Sequence, residues 1–143
     1  MIIAIGNDHA GVEFKNEIIK FFKEKNIEIK NFGTDNENSV DYPDHIHPVA
    51  EFISSKPNSY GIIICGSGNG AAMTANKHKN IRAALCWNED LAKLSRQHND
   101  ANILSIPSRF VSLAETLKMI SIFISTSFEG GRHKNRINKI PCS

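Results

Sequence analysis

A cysteine at the head of a glycine-rich turn is the feature of this sequence best suited to chemistry. Cys65 ends an apolar run typical of a buried strand and is followed by Gly-Ser-Gly-Asn-Gly at residues 66–70. Glycines let the backbone approach a ligand closely, and the helix expected after them directs unpaired N–H groups at an anion. A helix N-terminus and nearby cations also lower the pKa of a thiol toward neutrality, as a proton-abstracting base requires. We therefore predict that Cys65 is a catalytic base beside a site for an oxyanion.

Both parts of this pattern have a structural alternative. Cysteines that end buried strands are often inert small hydrophobic residues, and glycines often make only a tight strand-to-helix connection. The turn is not a P-loop, because no Gly-Lys-Ser/Thr ends it, and it departs from G-x-G-x-x-G because Gly70 comes one residue early. Cys86 has no such turn and is expected in the core, while Cys142 is expected on a loose terminus.

The elements that must position these residues alternate along the chain. Apolar, β-branched runs of strand length occupy residues 2–5, 27–32, 61–65, 81–86 and 102–106. Helical stretches are predicted over residues 13–25, 44–54, 70–78, 89–97 and 112–125. Parallel neighbours need a crossover, which is normally a helix. The order predicts an α/β fold in which a five-stranded parallel sheet lies between two helical layers.

Composition bounds the remaining possibilities. The 143 residues suit one domain, with residues 129–143 as an extended C-terminal arm, and a net charge of +2 argues against nucleic-acid binding through charge alone. Three widely spaced cysteines give no zinc couplet and fit a reducing compartment. No signal peptide or membrane-spanning run is evident, so we expect a cytoplasmic protein without a membrane or nucleic-acid partner.

Ligands of open parallel sheets bind beyond the carboxyl ends of the strands, where four reactive groups are predicted. They are Asp8-His9 after the first strand, Asp41-Tyr42 after the second, residues 65–70 after the third, and Arg109 after the fifth. His9 beside Asp8 is a candidate for proton transfer, although either residue could serve only as a hydrogen-bonded structural group. Asp41-Tyr42-Pro43 could likewise be only a turn.

His98 poses a geometrical problem. It ends a helix that runs back toward the amino ends of the strands, roughly 15 Å from where that helix begins. It should therefore not reach Cys65 of its own chain. Either His98 is structural, or a second subunit brings its copy into the pocket of a homodimer, and we favour the homodimer.

Two arginines in the C-terminal tail suggest the nature of the ligand. Arg132 and Arg136 lie four residues apart after a Gly-Gly hinge, and arginine binds phosphate bidentately. Together with Arg109 they would form a compact positive pocket, although the tail could also be a solvated basic terminus. We therefore predict a phosphorylated small molecule. A metal site at His45 and His47 is not expected, because side chains two residues apart on a helix do not share a face.

Five motifs in order resemble one family over nearly the whole chain. They are residues 6–11 (Gly-Asn-Asp-His-Ala-Gly), 41–43 (Asp-Tyr-Pro), 65–70 (Cys-Gly-Ser-Gly-Asn-Gly), 95–100 (Ser-Arg-Gln-His-Asn-Asp) and 129–133 (Glu-Gly-Gly-Arg-His). The chain resembles the sugar-phosphate isomerase family that includes ribose-5-phosphate isomerase B and the galactose-6-phosphate isomerase subunits. The resemblance implies a Rossmann-like fold and a homodimer, or a dimer of dimers, with shared active sites. It also implies aldose–ketose interconversion in the non-oxidative pentose phosphate pathway, without metal, nucleotide or any other cofactor.

The resemblance also implies a role for each candidate residue. Cys65 would move a proton between C1 and C2 of the opened sugar, and Ser67 would help move protons between the two oxygens. His98 of the partner subunit, with Asp8, would assist ring opening. The residues that would bind substrate are His9, Tyr42, Gly66, Gly68, Asn69, Gly70, Asn99, Arg109, Arg132 and Arg136, among which His9 and the three arginines would hold the phosphate.

Two positions depart from the pattern of many relatives. Ser67 replaces a threonine and keeps the hydroxyl. Relatives that lack the cysteine carry a glutamate at position 71 as base. This chain has Cys65 and Ala71, which leaves the thiol as the only base of either kind.

Two other functions remain open. A six-carbon aldose 6-phosphate isomerase, acting on allose or galactose 6-phosphate, needs the same chemistry in a slightly longer pocket. A non-catalytic nucleotide-binding module would use the glycine turn for phosphate and Glu89, nineteen residues beyond Gly70, for a ribose hydroxyl. The second hypothesis leaves Cys65 and His98 without a role.

Overall fold

The computed structural model describes residues 1–142, and within them strands and helices alternate as predicted. The strands are β1 (Ile2–Asn7), β2 (Glu28–Asn31), β3 (Tyr60–Cys65), β4 (Ala83–Leu85) and β5 (Ile103–Pro107). The helices are α1 (Val12–Glu24), α2 (Tyr42–Ser55), α3 (Asn69–Ala75), α4 (Glu89–Asn99), α5 (Leu113–Ser125) and α6 (Arg132–Ile137), and a short 3-10 turn (His9–Gly11) precedes α1. No helix in this part of the chain has the length and apolarity needed to cross a membrane.

The five strands form one parallel sheet in the order β2-β1-β3-β5-β4. Strand β3 lies at its centre, where Asn7 of β1 pairs with Ile64 and Pro107 of β5 pairs with Cys65. The carboxyl ends of β1, β3 and β5 therefore lie level with one another. This confirms the predicted α/β architecture with a five-stranded parallel sheet.

Side chains of the central strands alternate between two separate cores. Ile3, Ile62 and Leu104 face α1, α4 and α5, whereas Ala4 and Ile63 face α2 and α3. All five are fully buried. A strand covered on both faces needs apolar residues at consecutive positions, and this accounts for the unbroken apolar runs of the sequence.

The C-terminal tail differs from its prediction. We expected an extended arm over residues 129–143, but the chain forms helix α6 after a turn at Gly130 and Gly131, both with positive φ. Helix α6 packs beside α4, and its residues His133 and Ile137 are buried. A helix of this length is not stable by itself, and burial of these two side chains supplies the tertiary contacts that stabilise it. Ser143, the last residue of the predicted arm, lies outside the described residues.

The loop between β2 and α2 is attached to the end of β1 by buried polar groups. The fully buried Lys15 of α1 donates from Nζ to the Thr34 carbonyl and to the carboxylate of Asp35. Asn7 donates from Nδ2 to the same Thr34 carbonyl at 3.1 Å, and the Thr34 N–H donates to the Asn7 carbonyl at 3.2 Å. These bonds set the path of the loop toward Tyr42.

We expect the Lys15–Asp35 contact to make stability depend on pH in acid. Hydrogen bonds from Lys15 and then Asn31 hold the pKa of Asp35 below its ordinary value of 3.8. Its contribution is therefore complete above pH 3.8 and is lost as the pH falls through the lower pKa of the folded state. Asp35→Asn should lower the free energy of unfolding at pH 7 by about 1 kcal/mol, because the carboxylate is mostly exposed. Urea unfolding of both proteins at pH 7 and near pH 2.5 should show this difference shrinking in acid. A constant difference would contradict the assignment, and Glu37→Gln in the same loop is the control.

Candidate active site

Three loops meet at the carboxyl edge of the sheet. The Asp8 N–H donates to the Ile64 carbonyl at 3.2 Å, so Asp8 continues the β1–β3 pairing to the level of Cys65. On the other side, the N–H groups of Ser108 and Arg109 donate to the carbonyls of Cys65 and Gly66, each at 3.1 Å. Cys65, the predicted base, and Asp8, the residue expected to assist ring opening, therefore lie side by side at the ends of adjacent strands.

Ser108 connects all three loops, a role that no local sequence pattern indicates. Its Oγ donates to the Ala10 carbonyl at 2.9 Å and lies 3.4 Å from the Cys65 carbonyl oxygen. One hydroxyl thus links the segments after β1, β3 and β5. A serine after a strand is common, and its partners at sequence separations of 98 and 43 residues exist only once the sheet has formed.

The turn after Cys65 requires glycine at position 68. Gly68 has φ +74° and precedes α3, and its carbonyl accepts a 2.8 Å hydrogen bond from the buried hydroxyl of Ser105. A Cβ there would lie 2.5 Å from Leu85 Cδ1 and 3.2 Å from the Pro107 nitrogen. The Gly68 carbonyl therefore bonds the turn to β5, and the lack of a side chain at Gly68 lets the turn pack closely against that strand.

Cys65 is a free thiol at the boundary between the core and this turn. The residue is 5% exposed and packs in the same apolar cluster as Ala71, which is fully buried. The Arg109 side chain covers Gly66, since its Nη1 lies 3.0 Å from where a Cβ would be. A cation therefore lies beside the turn that follows Cys65.

Tyr42 and His9 border the same region. The Tyr42 ring packs on Gly70, with its hydroxyl oxygen 2.7 Å from the position of an added Cβ. His9 Nδ1 accepts a 3.2 Å hydrogen bond from the Val40 N–H. Because a backbone N–H only donates, Nδ1 carries no proton in this arrangement, and Nε2 is the nitrogen that can donate to a ligand.

His98 lies at the opposite edge of the sheet from Cys65. Arg96 is buried near the end of α4, where its guanidinium carbon lies 5.0 Å from the ring centre of Tyr60, the first residue of β3. Arg96 also bonds Asp100, which ends the helix in the left-handed region at φ 45°. His98 therefore lies near the amino end of β3, whereas Cys65 is its last residue. This confirms the prediction that His98 does not reach Cys65 of its own chain.

Helix α6 brings the tail arginines to the side of His98. His133 stacks on His98 with ring centres 4.3 Å apart and ring planes 16° apart. Arg132 and Arg136 are exposed on this helix, while Arg109 lies against Gly66 at the other edge. The expected pocket of three arginines is therefore not formed within one chain. The crossover from β4 through α4 to β5 runs from one edge of the sheet to the other, so Arg109 lies at one edge and the two tail arginines lie at the other.

An exposed apolar surface adjoins the turn, and the sequence did not single it out. Trp87 is 55% exposed and Phe110 is 75% exposed, and both border an open depression with Ser67 and Leu85. Met73, which is 67% exposed, continues this surface along α3. Large side chains exposed together in this way mark interaction surfaces. The sequence does hold an indication of this surface, because Trp87 and Phe110 follow predicted strands and therefore lie at the edge of the sheet where ligands bind.

Comparison with known proteins shows the family to which this chain belongs. The family described as Ribose/Galactose Isomerase matches residues 3–140. The chain belongs to this family. The ribose-5-phosphate isomerase B of Escherichia coli strain K12 is 38% identical over 138 residues, which are 96% of this chain and 93% of that protein.

Solved structures of the family have the same fold. A ribose-5-phosphate isomerase B from Clostridium thermocellum is 45% identical with a TM-score of 0.94, over 98% of this chain and 95% of that one. A ribose-5-phosphate isomerase B from Mycoplasma genitalium, solved with bound ribulose-5-phosphate, is 40% identical with a TM-score of 0.94, over 97% and 93%. The predicted family and Rossmann-like fold are therefore confirmed.

The turn geometry predicts a specific cost for adding one methyl group. Gly68→Ala should lower the free energy of unfolding by about 2–5 kcal/mol, the sum of left-handed backbone strain and overpacking against Leu85 and the β5 backbone at Ile106 and Pro107. Gly130→Ala is a matched control, because Gly130 has φ +72° but no atom within 4 Å of an added Cβ. It should cost only about 1–2 kcal/mol. Urea denaturation measures both values, and equal costs would contradict the packing assigned to Gly68.

Proposed function

We propose that this protein is a cofactor-free ribose-5-phosphate isomerase that interconverts ribose 5-phosphate and ribulose 5-phosphate. The observation that carries the proposal is the position of Cys65, a thiol at the head of a glycine turn, with Asp8 level with it on the adjacent strand. Family membership and the ribulose-5-phosphate bound to the Mycoplasma genitalium relative support a pentose phosphate as substrate.

The chemistry begins with opening of the furanose ring. Asp8 takes the proton from the anomeric hydroxyl while the bond between C1 and the ring oxygen breaks. His98 of the partner subunit gives a proton to that ring oxygen. The product is an open-chain aldose, and Asn99 of the partner subunit holds it near the turn.

Isomerisation follows on the opened chain. The Cys65 thiolate removes the proton from C2, and the negative charge moves to O1 to give an enediolate. Backbone N–H groups of residues 66–70, including that of Gly70, stabilise that charge. Ser67 helps transfer a proton from O2 to O1, and Cys65 returns its proton to C1 to form the ketose. Ser67 is exposed and its Oγ accepts from the Asn69 N–H at 3.3 Å, so its own hydroxyl proton is free for this transfer.

We propose that the active enzyme is a homodimer with shared sites. His98 and Cys65 lie at opposite edges of one sheet, so a site that uses both needs two chains. The exposed apolar surface of Met73, Trp87 and Phe110 adjoins Ser67 and supports docking of a second copy beside the turn. A two-fold arrangement would complete both sites at once.

The same arrangement supplies a phosphate site. His9 and Arg109 lie at the carboxyl edge of one chain, and Arg132 and Arg136 of the partner subunit would face them. Histidine Nε2–H and three guanidinium groups suit a phosphate dianion, since arginine binds phosphate oxygens in pairs. The separation of these residues within one chain is then a requirement of the shared site.

Two alternatives receive less support. Hexose 6-phosphates need the same chemistry, but the relatives described above carry the name ribose-5-phosphate isomerase B. A dinucleotide module would need Glu89 beside the glycine turn, yet Glu89 follows β4, which β5 separates from β3. We further propose a place in the pentose phosphate pathway and in the reducing cytoplasm, where Cys65 stays a thiol.

Replacing the proposed base should abolish isomerisation without unfolding the protein. Cys65→Ala should lower kcat for ribose 5-phosphate by about 10²–10⁴-fold, the usual contribution of a general base. Cys86→Ala is the matched control, because Cys86 is also a buried thiol but burial raises its pKa to about 11. It should leave kcat unchanged. Coupled assays with ribose 5-phosphate, allose 6-phosphate and galactose 6-phosphate test the substrate at the same time. Activity retained by Cys65→Ala would refute the thiol mechanism.

Complementation between two inactive variants tests the shared site. In a mixed dimer of Cys65→Ala and His98→Gln chains, one site carries both substitutions and the other carries neither. Coexpression should therefore restore about a quarter of wild-type activity, since half of the dimers are mixed and each has one intact site. Each variant alone is the control and should be nearly inactive. If every chain holds a complete site, the mixture will stay as inactive as its components.

A further inference from the structure

Two titratable side chains beside His98, those of Glu129 and His133, have no role in the mechanism described so far. His98, Glu129 and His133 place their nitrogen and carboxylate atoms within 4.8 Å of one another. His133 Nε2 lies 3.8 Å from Glu129 Oε2, and the His133 ring stacks on the His98 ring. We name these three residues the imidazole cluster.

The geometry of the rings decides what this cluster can do. An ion bound by two imidazoles lies in the plane of each ring, because the nitrogen lone pair points along that plane. The planes of His98 and His133 are only 16° apart and face each other across 4.3 Å. Nearly parallel, facing rings cannot direct both lone pairs at one ion. The arrangement instead suits contact between two aromatic faces.

The path of the backbone holds this contact in place. The Glu129 N–H donates to the Gln97 carbonyl at 3.1 Å, which joins the tail to α4 one residue before His98. The turn at Gly130 and Gly131 then reverses the chain, and the His133 N–H donates to the Gly130 carbonyl at 3.1 Å. His133 is thereby delivered to the ring of His98 by a hydrogen-bonded turn.

The charges around the stack favour an uncharged His133. Burial lowers the pKa of His133, and the positive charges of His98, Arg132 and Arg136 lower it further, while the Glu129 carboxylate raises it. The face of an uncharged aromatic ring attracts a cation placed over it. A protonated His98, the form that gives a proton to the ring oxygen of the sugar, is therefore supported by this partner.

We propose that His133, held by the turn at Gly130 and Gly131, is a positioning residue that orients and stabilises the protonated imidazole of His98 for opening of the sugar ring. The inference rests on the proposed isomerase function and deepens it. It assigns His133 to ring opening and gives it no part in proton transfer between C1 and C2.

The experiment separates ring opening from isomerisation. Ribulose 5-phosphate cannot form a furanose, because its C5 hydroxyl is esterified, so its C1 proton exchanges with D2O through Cys65 without any ring opening. His133→Ala should lower kcat for ribose 5-phosphate by about 10–100-fold, part of the contribution of a general acid. It should leave both the C1 exchange rate and the KM for ribulose 5-phosphate unchanged. His133→Phe keeps an aromatic face and should recover most of the lost rate.

One further measurement completes the test. NMR should show that the His98 ring protons lose an upfield ring-current shift in His133→Ala and keep it in His133→Phe. Lys134→Ala, an exposed change on the same helix, is the control and should change none of these values.

The outcomes are distinguishable. Equal loss of turnover and C1 exchange, or a raised KM for ribulose 5-phosphate, would place His133 on the substrate and overturn the proposal. Unchanged turnover in His133→Ala would overturn it as well. If His133→Ala does not fold, the same comparisons decide the matter in His133→Phe. Failure of wild-type protein to convert ribose 5-phosphate would refute the proposed function instead, and the NMR shift would still test the stack.

Discussion

Parallel pairing around β3 is the constraint on which the rest of this structure depends. It places the carboxyl ends of β1, β3 and β5 at one edge, and each following helix must return to the opposite edge before the next strand begins. Cys65 and Asp8 lie side by side because they stand at the ends of adjacent strands in register. His98 is excluded from the same place because it ends a return helix.

Polar contacts then convert this edge into a defined site. Ser108 joins the three loops, and Lys15 and Asn7 attach the loop that leads to Tyr42. These groups are buried or partly buried, where an unpaired donor or acceptor is costly. Their bonds therefore hold irregular backbone in one conformation. The mechanism proposed above, in which backbone N–H groups stabilise a small anionic intermediate, requires such order.

The same constraint explains why one chain holds two incomplete sets of functional groups. A thiol, a carboxylate and one arginine lie at the carboxyl edge, whereas an imidazole and two arginines lie at the amino edge. In the homodimer proposed above, unlike edges of two chains would come together without a change in the fold of either. The exposed side chains of Trp87 and Phe110 beside the turn offer apolar area for the proposed association.

The sequence by itself determined the order of the elements, the central strands and the candidate residues. Buried parallel strands need apolar runs, a left-handed turn needs Gly68, and a helix that follows β4 must carry His98 away from Cys65. Only the tertiary structure decided the remainder. Three features depend on partners distant in the chain, and no local pattern predicts them. They are the role of Ser108, the burial of Lys15 and the stacking of His133 on His98. Helix α6 was predicted as an extended arm because its few residues become helical only through packing against α4.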